Sequence, residues 1–329
     1  MAILSAVLSP AAAPVPCSVF GTVAAIGDAW SWLILREAVL DEVDGFEAFH
    51  DRLGIARSTL SARLEHLIAH GVLGRTGRSY RPTERGSDFF GCLMTAMAWG
   101  DRWCTGDDGV SRPAVHTGCG AVMAAELRCS VCRGPLPARG VRYGRRPGAD
   151  GGGPPSGRRH RTPGLELLER RSASSLARTL QVMGDRWSGL VIREAFYGVR
   201  RFDEFQRRLG IASNILAERL DRLTGHGVLA RVPYRQQPLR HEYRLTDKGL
   251  DLYPVPLAML TWGDRWLAPR RRPPVPLTHL DCGRRFTAVL SCSRCGDPIS
   301  RADVVLGSPQ IRRRPGPPEG HPGRSLRKR

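Results

Sequence analysis

Lysine is almost missing: Lys248 and Lys328 are the only two among 50 basic side chains, so nearly every cation is an arginine. Asparagine occurs once, as Asn214. No apolar run reaches the length of a membrane span. The apolar leader, residues 1–16, has no Lys or Arg ahead of it and carries three prolines, which argues against a secretory signal and reads as a disordered start. A phosphate-binding glycine loop, a nucleophile elbow, a His-Glu-x-x-His helix and a paired-carboxylate arrangement are all missing, which argues against an enzyme. With neither signal nor span, the expected location is the cytoplasm, with no membrane partner. Nine cysteines in that reducing compartment suggest metal rather than disulfides where they cluster.

What is present points elsewhere. The chain has 329 residues, room for two or three domains, and its 41% hydrophobic content suits packed cores. Fifty basic against 31 acidic residues give a formal charge of +19, which favours a polyanionic partner, most simply nucleic acid. GC-rich coding alone can also enrich arginine, so the motifs must decide.

An internal repeat organises the chain. Gly27-Asp28-Ala29-Trp30 recurs as Gly184-Asp185-Arg186-Trp187, and Arg36-Glu37-Ala38 as Arg193-Glu194-Ala195. Leu53-Gly54-Ile55-Ala56 matches Leu209-Gly210-Ile211-Ala212, and His70-Gly71-Val72-Leu73 matches His226-Gly227-Val228-Leu229. Trp99-Gly100-Asp101-Arg102-Trp103 returns as Trp262-Gly263-Asp264-Arg265-Trp266. The expected organisation is a leader (1–16), domain one (17–110) with its knob (111–143), a Gly/Pro/Arg-rich linker (144–171), then domain two (172–270) with its knob (271–306). A basic disordered tail (307–329) ends the chain. Linker and tail lack the apolar content to fold; the tail's cations either brush phosphates or serve solubility.

In copy one, Trp30, Leu33, Ile34 and Ala38 mark a buried helix. Phe46, Phe49 and Leu53 mark a second, closed by Gly54. Leu60, Leu64 and Leu67 mark a third. Two short helices across a tight Gly-containing turn are a helix-turn-helix. Arg57, Ser58, Thr59, Ser61 and Arg63 then form the reading face, with Ser213, Asn214, Glu218 and Arg219 in copy two. Arg63 and Arg219 either contact DNA or pair with Glu37 and Glu194. Asn214 either reads adenine or caps its helix, and the first is favoured because Ser213 and Ala212 precede it. Residues 228–232 and 240–245 predict a wing hairpin in copy two, with Arg235, Gln236, Gln237 and Arg240 at its tip; copy one keeps a stub over 75–80. Trp30, Trp99, Trp187 and Trp262 read as core and interface packing, and Cys92 and Cys104 as packing residues.

Gly-Asp-x-Trp, the Arg-Glu helix, Phe-x-x-Phe, Leu-Gly-Ile, Gly-Val-Leu, the wing and Tyr-Arg-Leu-Thr-x-x-Gly together resemble HxlR-type winged-helix regulators. Copy two matches throughout; copy one departs at the short wing and at Pro82, where copy two has Leu245. The resemblance implies dimers paired through first and last helices on operator DNA. In some members it implies a redox-sensing cysteine at the position of Cys17. That residue also reads as a small packing side chain.

Each copy ends in His-x2-Cys-x9-Cys-x2-Cys: His116, Cys119, Cys129 and Cys132, then His279, Cys282, Cys292 and Cys295. Four N/S ligands at fixed spacing suit a closed, structural, tetrahedral Zn²⁺ site in each copy; redox pairs or eroded sites are the other reading. The expected fold is α+β, mainly helical: two winged helix-turn-helix domains, each followed by a small zinc-ribbon-like β-hairpin knob. The expected function is a repressor-like, sequence-specific regulator that covers a two-half-site double-stranded DNA operator as an intrachain pseudo-dimer, with further dimerisation open. The competing class is a redox- or metal-responsive interaction module whose copy one no longer binds DNA.

Overall fold

The computed structural model describes residues 18–104, 110–144, 163–170, 174–237, 239–268, 275–308 and 310–311. The leader, Cys17, most of the linker and the tail beyond 311 lie outside the described residues.

Copy one comprises α1 (Ser18–Ile26), α2 (Ala29–Leu40), α3 (Phe46–Leu53), α4 (Arg57–Ala69), β1 (Leu73–Thr76), β2 (Ser79–Pro82), α5 (Glu84–Ser87) and α6 (Phe90–Trp103). Its knob contains β3 (Val110–Ser111), β4 (Ala114–His116), β5 (Val122–Met123), β6 (Ala125–Cys129) and β7 (Val141–Tyr143). After α7 (Leu165–Leu168), copy two repeats the order with α8 (Ser175–Met183), α9 (Arg186–Phe196), α10 (Phe202–Leu209) and α11 (Ser213–Gly225). It continues through β8 (Leu229–Gln236), β9 (Leu239–Leu245), α12 (Asp247–Asp251) and α13 (Pro254–Trp266). The second knob holds β10 (Leu277–His279), β11 (Arg285–Phe286), β12 (Ala288–Cys292), β13 (Val304–Leu306) and β14 (Gln310–Ile311). Among the described residues no single helix is long and apolar enough to cross a membrane.

The repeated motifs act locally as helix stops and starts. Asp28 and Asp185 are the N-caps of α2 and α9, and their carboxylates accept from Ser31 N and from Trp187 N and Ser188 N. Gly54 and Gly210 close α3 and α10 in the left-handed region, at φ 62° and 59°, where a side chain would be strained. Leu60, Leu64 and Leu67, like Leu216, Leu220 and Leu223, are buried on the inner face of the third helix of each unit.

Two expectations about the connecting segments change. The end of the expected linker folds: Leu168 of α7 is buried, and Glu169 pairs with Arg178 of α8 at 3.0 Å. The expected tail also begins in structure, because Gln310–Ile311 pair with Val110–Ser111. In both places backbone or leucine contacts come from the other copy or the next helix, which composition does not reveal.

The copies pair reciprocally, α1 against α13 and α6 against α8. The repeated Trp-Gly-Asp-Arg-Trp motif forms both halves of this interface. Trp99 Nε1 donates to Lys248 O (3.0 Å) and Trp262 Nε1 to Arg85 O (2.9 Å). Trp103 Nε1 and Arg102 engage Asp251, as Trp266 Nε1 and Arg265 engage Asp88. Thr179 Oγ1 donates to Ala96 O and Thr22 Oγ1 to Met259 O. Such buried pairs hold because each indole N–H and hydroxyl finds an acceptor.

Ser18 Oγ donates to the half-buried Asp264 across this interface. Burial raises the Asp264 carboxyl to about 6, although the Ser18 bond pulls it down. A carboxyl raised on folding favours the protonated fold, so its contribution is present below the ordinary value near 4 and is lost as pH rises through about 6. Asp264→Asn should therefore flatten the fall in melting temperature between pH 4 and 6. An unchanged slope would place the titrating group elsewhere.

Candidate DNA-reading faces and metal centres

The reading helices sit as the leucine spacing requires, but their arginines do not all face outward. Arg219 is buried, with 6% exposure, and its Nε lies 2.9 Å from Asp185 Oδ1. Arg63 lies 3.0 Å from Asp28 Oδ1. The expected DNA contact by Arg219 and Arg63 is corrected accordingly: each is turned to the N-cap aspartate of its own unit. Their expected alternative partners are also corrected. Glu37 is held by Arg36 and Arg52, and Glu194 by Arg193 and Arg208. An N-cap aspartate keeps a second lone pair directed past the helix start, where the third helix crosses, and spacing along one helix cannot show that crossing.

The remaining copy-two face is exposed: Ser213, Asn214 and Glu218 project from α11, with Asp221 beyond them. Ala212 is the N-cap and makes no side-chain bond, so Asn214 does not serve as the cap. Glu218 is held in place by Arg219 Nη1 at 2.8 Å. In copy one, Arg57 and Ser58 are exposed, while Thr59 and Ser61 are half-buried. Arg57 makes a two-pronged contact with Glu47 (2.7 and 2.6 Å), and Ser61 reaches Glu65 at 3.4 Å. That ion pair holds the Glu47 carboxyl below its usual range.

The wings differ as their lengths predict. Strands β1 and β2 run four residues each and turn at Gly77-Arg78; β8 and β9 run eight and seven, with a register shift between Pro233 and Arg235. Arg235, Gln236, Gln237 and Arg240 are all exposed at the far end of the longer wing. Arg235 Nε is steadied by Gln237 O at 2.9 Å. Exposed Arg231, and Arg201 stacked over Tyr234, add cations that a tip-only reading misses; Arg231 could have been found from the period-two alternation of β8.

The cysteine and histidine ligands gather into two clusters, but not one per copy. His116 and Cys119 meet Cys292 and Cys295; Cys129 and Cys132 meet His279 and Cys282. The expected intracopy grouping is corrected. In each copy the His-x2-Cys pair precedes a five-residue strand (β6 or β12) and the Cys-x2-Cys pair ends it, so the pairs stand roughly 16 Å apart along one strand. Strands β6 and β12 run antiparallel, Cys129 opposite Ala288 and Cys292 opposite Ala125. Antiparallel pairing sets the start of one copy's strand beside the end of the other's. The flanking ladders are intercopy too, β13 on β4 and β7 on β10.

Within each cluster the donor atoms lie within 4.8 Å of one another. His116 Nδ1 is 3.3 Å from Cys119 Sγ and from Cys295 Sγ, His279 Nδ1 is 3.2 Å from Cys132 Sγ, and Cys119 Sγ is 3.9 Å from Cys292 Sγ. Tetrahedral Zn²⁺ demands N–S and S–S edges of roughly 3.5 and 3.8 Å, so the donor sets fit. His279 Nε2 is buried without a hydrogen bond, 3.5 Å from the Asp281 carboxylate, which leaves Nδ1 facing the thiols. Burial raises the Cys129 and Cys292 thiols, yet the N–H groups of the following turn outweigh it and hold both below the usual value. Val131 N and Arg294 N each lie 3.4 Å from those sulfurs. Their Cys-x2-Cys partners go the other way: Cys132 is raised and Cys295 reaches about 11. The Gly134 and Asp297 N–H groups favour their thiolates, but burial and the bonds to neighbouring thiols oppose them and prevail. The lowered member of each pair is the readier thiolate.

The pattern of the HxlR-like helix-turn-helix family matches residues 25–108 and 182–271, together more than half of the chain. A Mycobacterium bovis protein described as an HTH-type transcriptional regulator, Mb3122, is 41% identical over 140 residues, 43% of this chain and 89% of that protein. The Bacillus subtilis HTH-type transcriptional regulator YdeP is 36% identical over 89 residues, 27% of this chain and 70% of its own length. The crystal structure of PA1607, a proposed transcription factor, is 38% identical, covers 43% of this chain and 98% of its own, and superposes with a TM-score of 0.39. The two matched segments coincide with the two copies of the repeat, and the chain belongs to the HxlR-like helix-turn-helix family of transcriptional regulators, carrying the family's module twice.

Proposed function

We propose that this regulator binds double-stranded DNA as a pseudo-dimer on one chain, each winged helix taking one half-site of an operator and acting in a repressor-like way. The reading rests above all on the reciprocal pairing of α1 with α13 and α6 with α8, which gives one polypeptide the arrangement expected of two. Fusion makes the second half-site contact intramolecular, so it is favoured by a high effective concentration. The half-sites differ in sequence, because Ser213, Asn214 and Glu218 face outward from copy two where copy one offers Arg57 and Ser58. Asn214 suits adenine and Glu218 suits cytosine N4. Phosphate grip in copy two comes from Arg235 and Arg240 of the wing, with Gln236 and Gln237 beside them. Each cluster of His and Cys residues holds a structural Zn²⁺. Action on DNA places the protein in the cytoplasm, on the nucleoid when bound.

In vitro selection of bound duplexes tests this. An asymmetric two-part site is the expected result; a perfect palindrome contradicts unlike readers, and no enriched site contradicts sequence-specific binding. On the selected site, Arg235→Ala with Arg240→Ala should lower the salt dependence of binding by about two phosphate contacts. Arg57→Ala leaving that slope unchanged would support the second reading, in which copy one no longer grips phosphate, since Glu47 already occupies Arg57.

A further inference from the structure

We infer that the two metal centres are clasps between the copies, so that metal loading decides whether the two winged helices can engage a two-half-site operator together; the inference rests on the DNA-binding reading above.

Neither copy alone can complete a centre. One takes His116 and Cys119 from copy one and Cys292 and Cys295 from copy two; the other takes Cys129 and Cys132 from copy one and His279 and Cys282 from copy two. Each ion therefore links the first half of the chain to the second. The strands between the ligands are only two to five residues long. Ladders that short do not hold by hydrogen bonding alone, so ligand binding supplies much of the stability of this shared unit.

The unit is anchored to both winged helices. On copy one, Arg301 donates to Val39 O and Leu40 O at the end of α2, and Arg112 pairs with Asp41 at 2.7 Å. On copy two, Tyr143 packs edge-on against Tyr197 just after α9, ring centroids 4.7 Å apart. Both anchors sit at the ends of helices that carry the buried core of each winged helix. Opening the clasps removes the knob-borne connection between the units and leaves their relative placement to the helix interface alone, where α1 meets α13 and α9, α6 meets α8 and α13, α2 meets α8, and Ala29 N donates to Gly184 O. Cys119, Cys132 and Cys295 are exposed residues, so the ions can exchange with a chelator in the surrounding solution.

Paired substitutions in the full chain, with bound zinc counted by elemental analysis, separate crossed from uncrossed ligation. Cys119→Ser with Cys292→Ser, or Cys132→Ser with Cys282→Ser, damages one centre and should leave one ion per chain. Cys119→Ser with Cys129→Ser, or Cys282→Ser with Cys292→Ser, damages both and should leave none. The inverse pattern, or no ion in all four, overturns the clasp. On DNA, stripping zinc from the unaltered chain should weaken binding to a two-half-site duplex about tenfold or more, leave a single-half-site duplex unaffected, and be reversed by adding zinc. Unchanged two-site binding, or equal loss on both duplexes, also overturns it. Failure of the zinc-loaded chain to bind either duplex would instead overturn the DNA-binding reading, while the zinc counts stand independently.

Discussion

Replacing Arg219 by alanine is expected to destabilise copy two by about 3–5 kcal/mol, measured by chemical denaturation, because it leaves the Asp185 carboxylate buried without its principal cation. Asp185 exposes only 2% of its side chain and already accepts from Trp187 N, Ser188 N and Ser188 Oγ, so it cannot turn to water. Arg222, 3.4 Å away, covers part of the charge. Combining Arg219→Ala with Asp185→Asn should restore part of the loss, since no uncompensated charge then remains. The matching change in copy one, Arg63→Ala, should cost less, because Asp28 and Arg63 expose 16% and 13% of their side chains and water can replace the partner. A full-site salt slope that fell in Arg219→Ala while stability held would return this arginine to the DNA surface and remove the buried-pair account.

The second large effect is expected at the helix crossings. A Cβ on Gly100 would lie 2.2 Å from Ser175 O, and one on Gly263 would lie 2.4 Å from Ser18 O. Both obstacles are backbone, so no rotamer change relieves them and the helices must separate. Gly100→Ala and Gly263→Ala are each expected to cost about 2–3 kcal/mol. The pair together should split denaturation into two transitions, because α6–α8 and α13–α1 are then both wedged apart. The bonds from Trp99 to Lys248 and from Trp262 to Arg85 would stretch with them. A single transition of unchanged midpoint would mean that these crossings do not hold the copies together.

Both predictions arise from motifs that the sequence displays twice without explaining. Gly-Asp-x-Trp is visible as a repeat, and its aspartate is legible as a helix cap. That the same carboxylate also receives Arg219 depends on how α11 crosses α9, a distance set by packing rather than spacing. Trp-Gly-Asp-Arg-Trp reads as interface packing from its aromatics; only the paired helices show why a glycine separates the first tryptophan from the aspartate. The apolar leader, Cys17, the linker core and the tail beyond 311 lie outside the described residues.

The sequence by itself determined the duplication, the two winged helix-turn-helix units, the unequal wings and the eight candidate metal ligands, because each depends on local periodicity, caps and turns that short segments carry within themselves. Which of those eight side chains gather into one cluster, and which arginines reach solvent, was decided only by tertiary structure. A five-residue strand holds its two candidate ligand pairs too far apart for one cluster, so closure comes from an antiparallel partner 173 residues away for Cys119, at Cys292, and 147 residues away for Cys132, at His279.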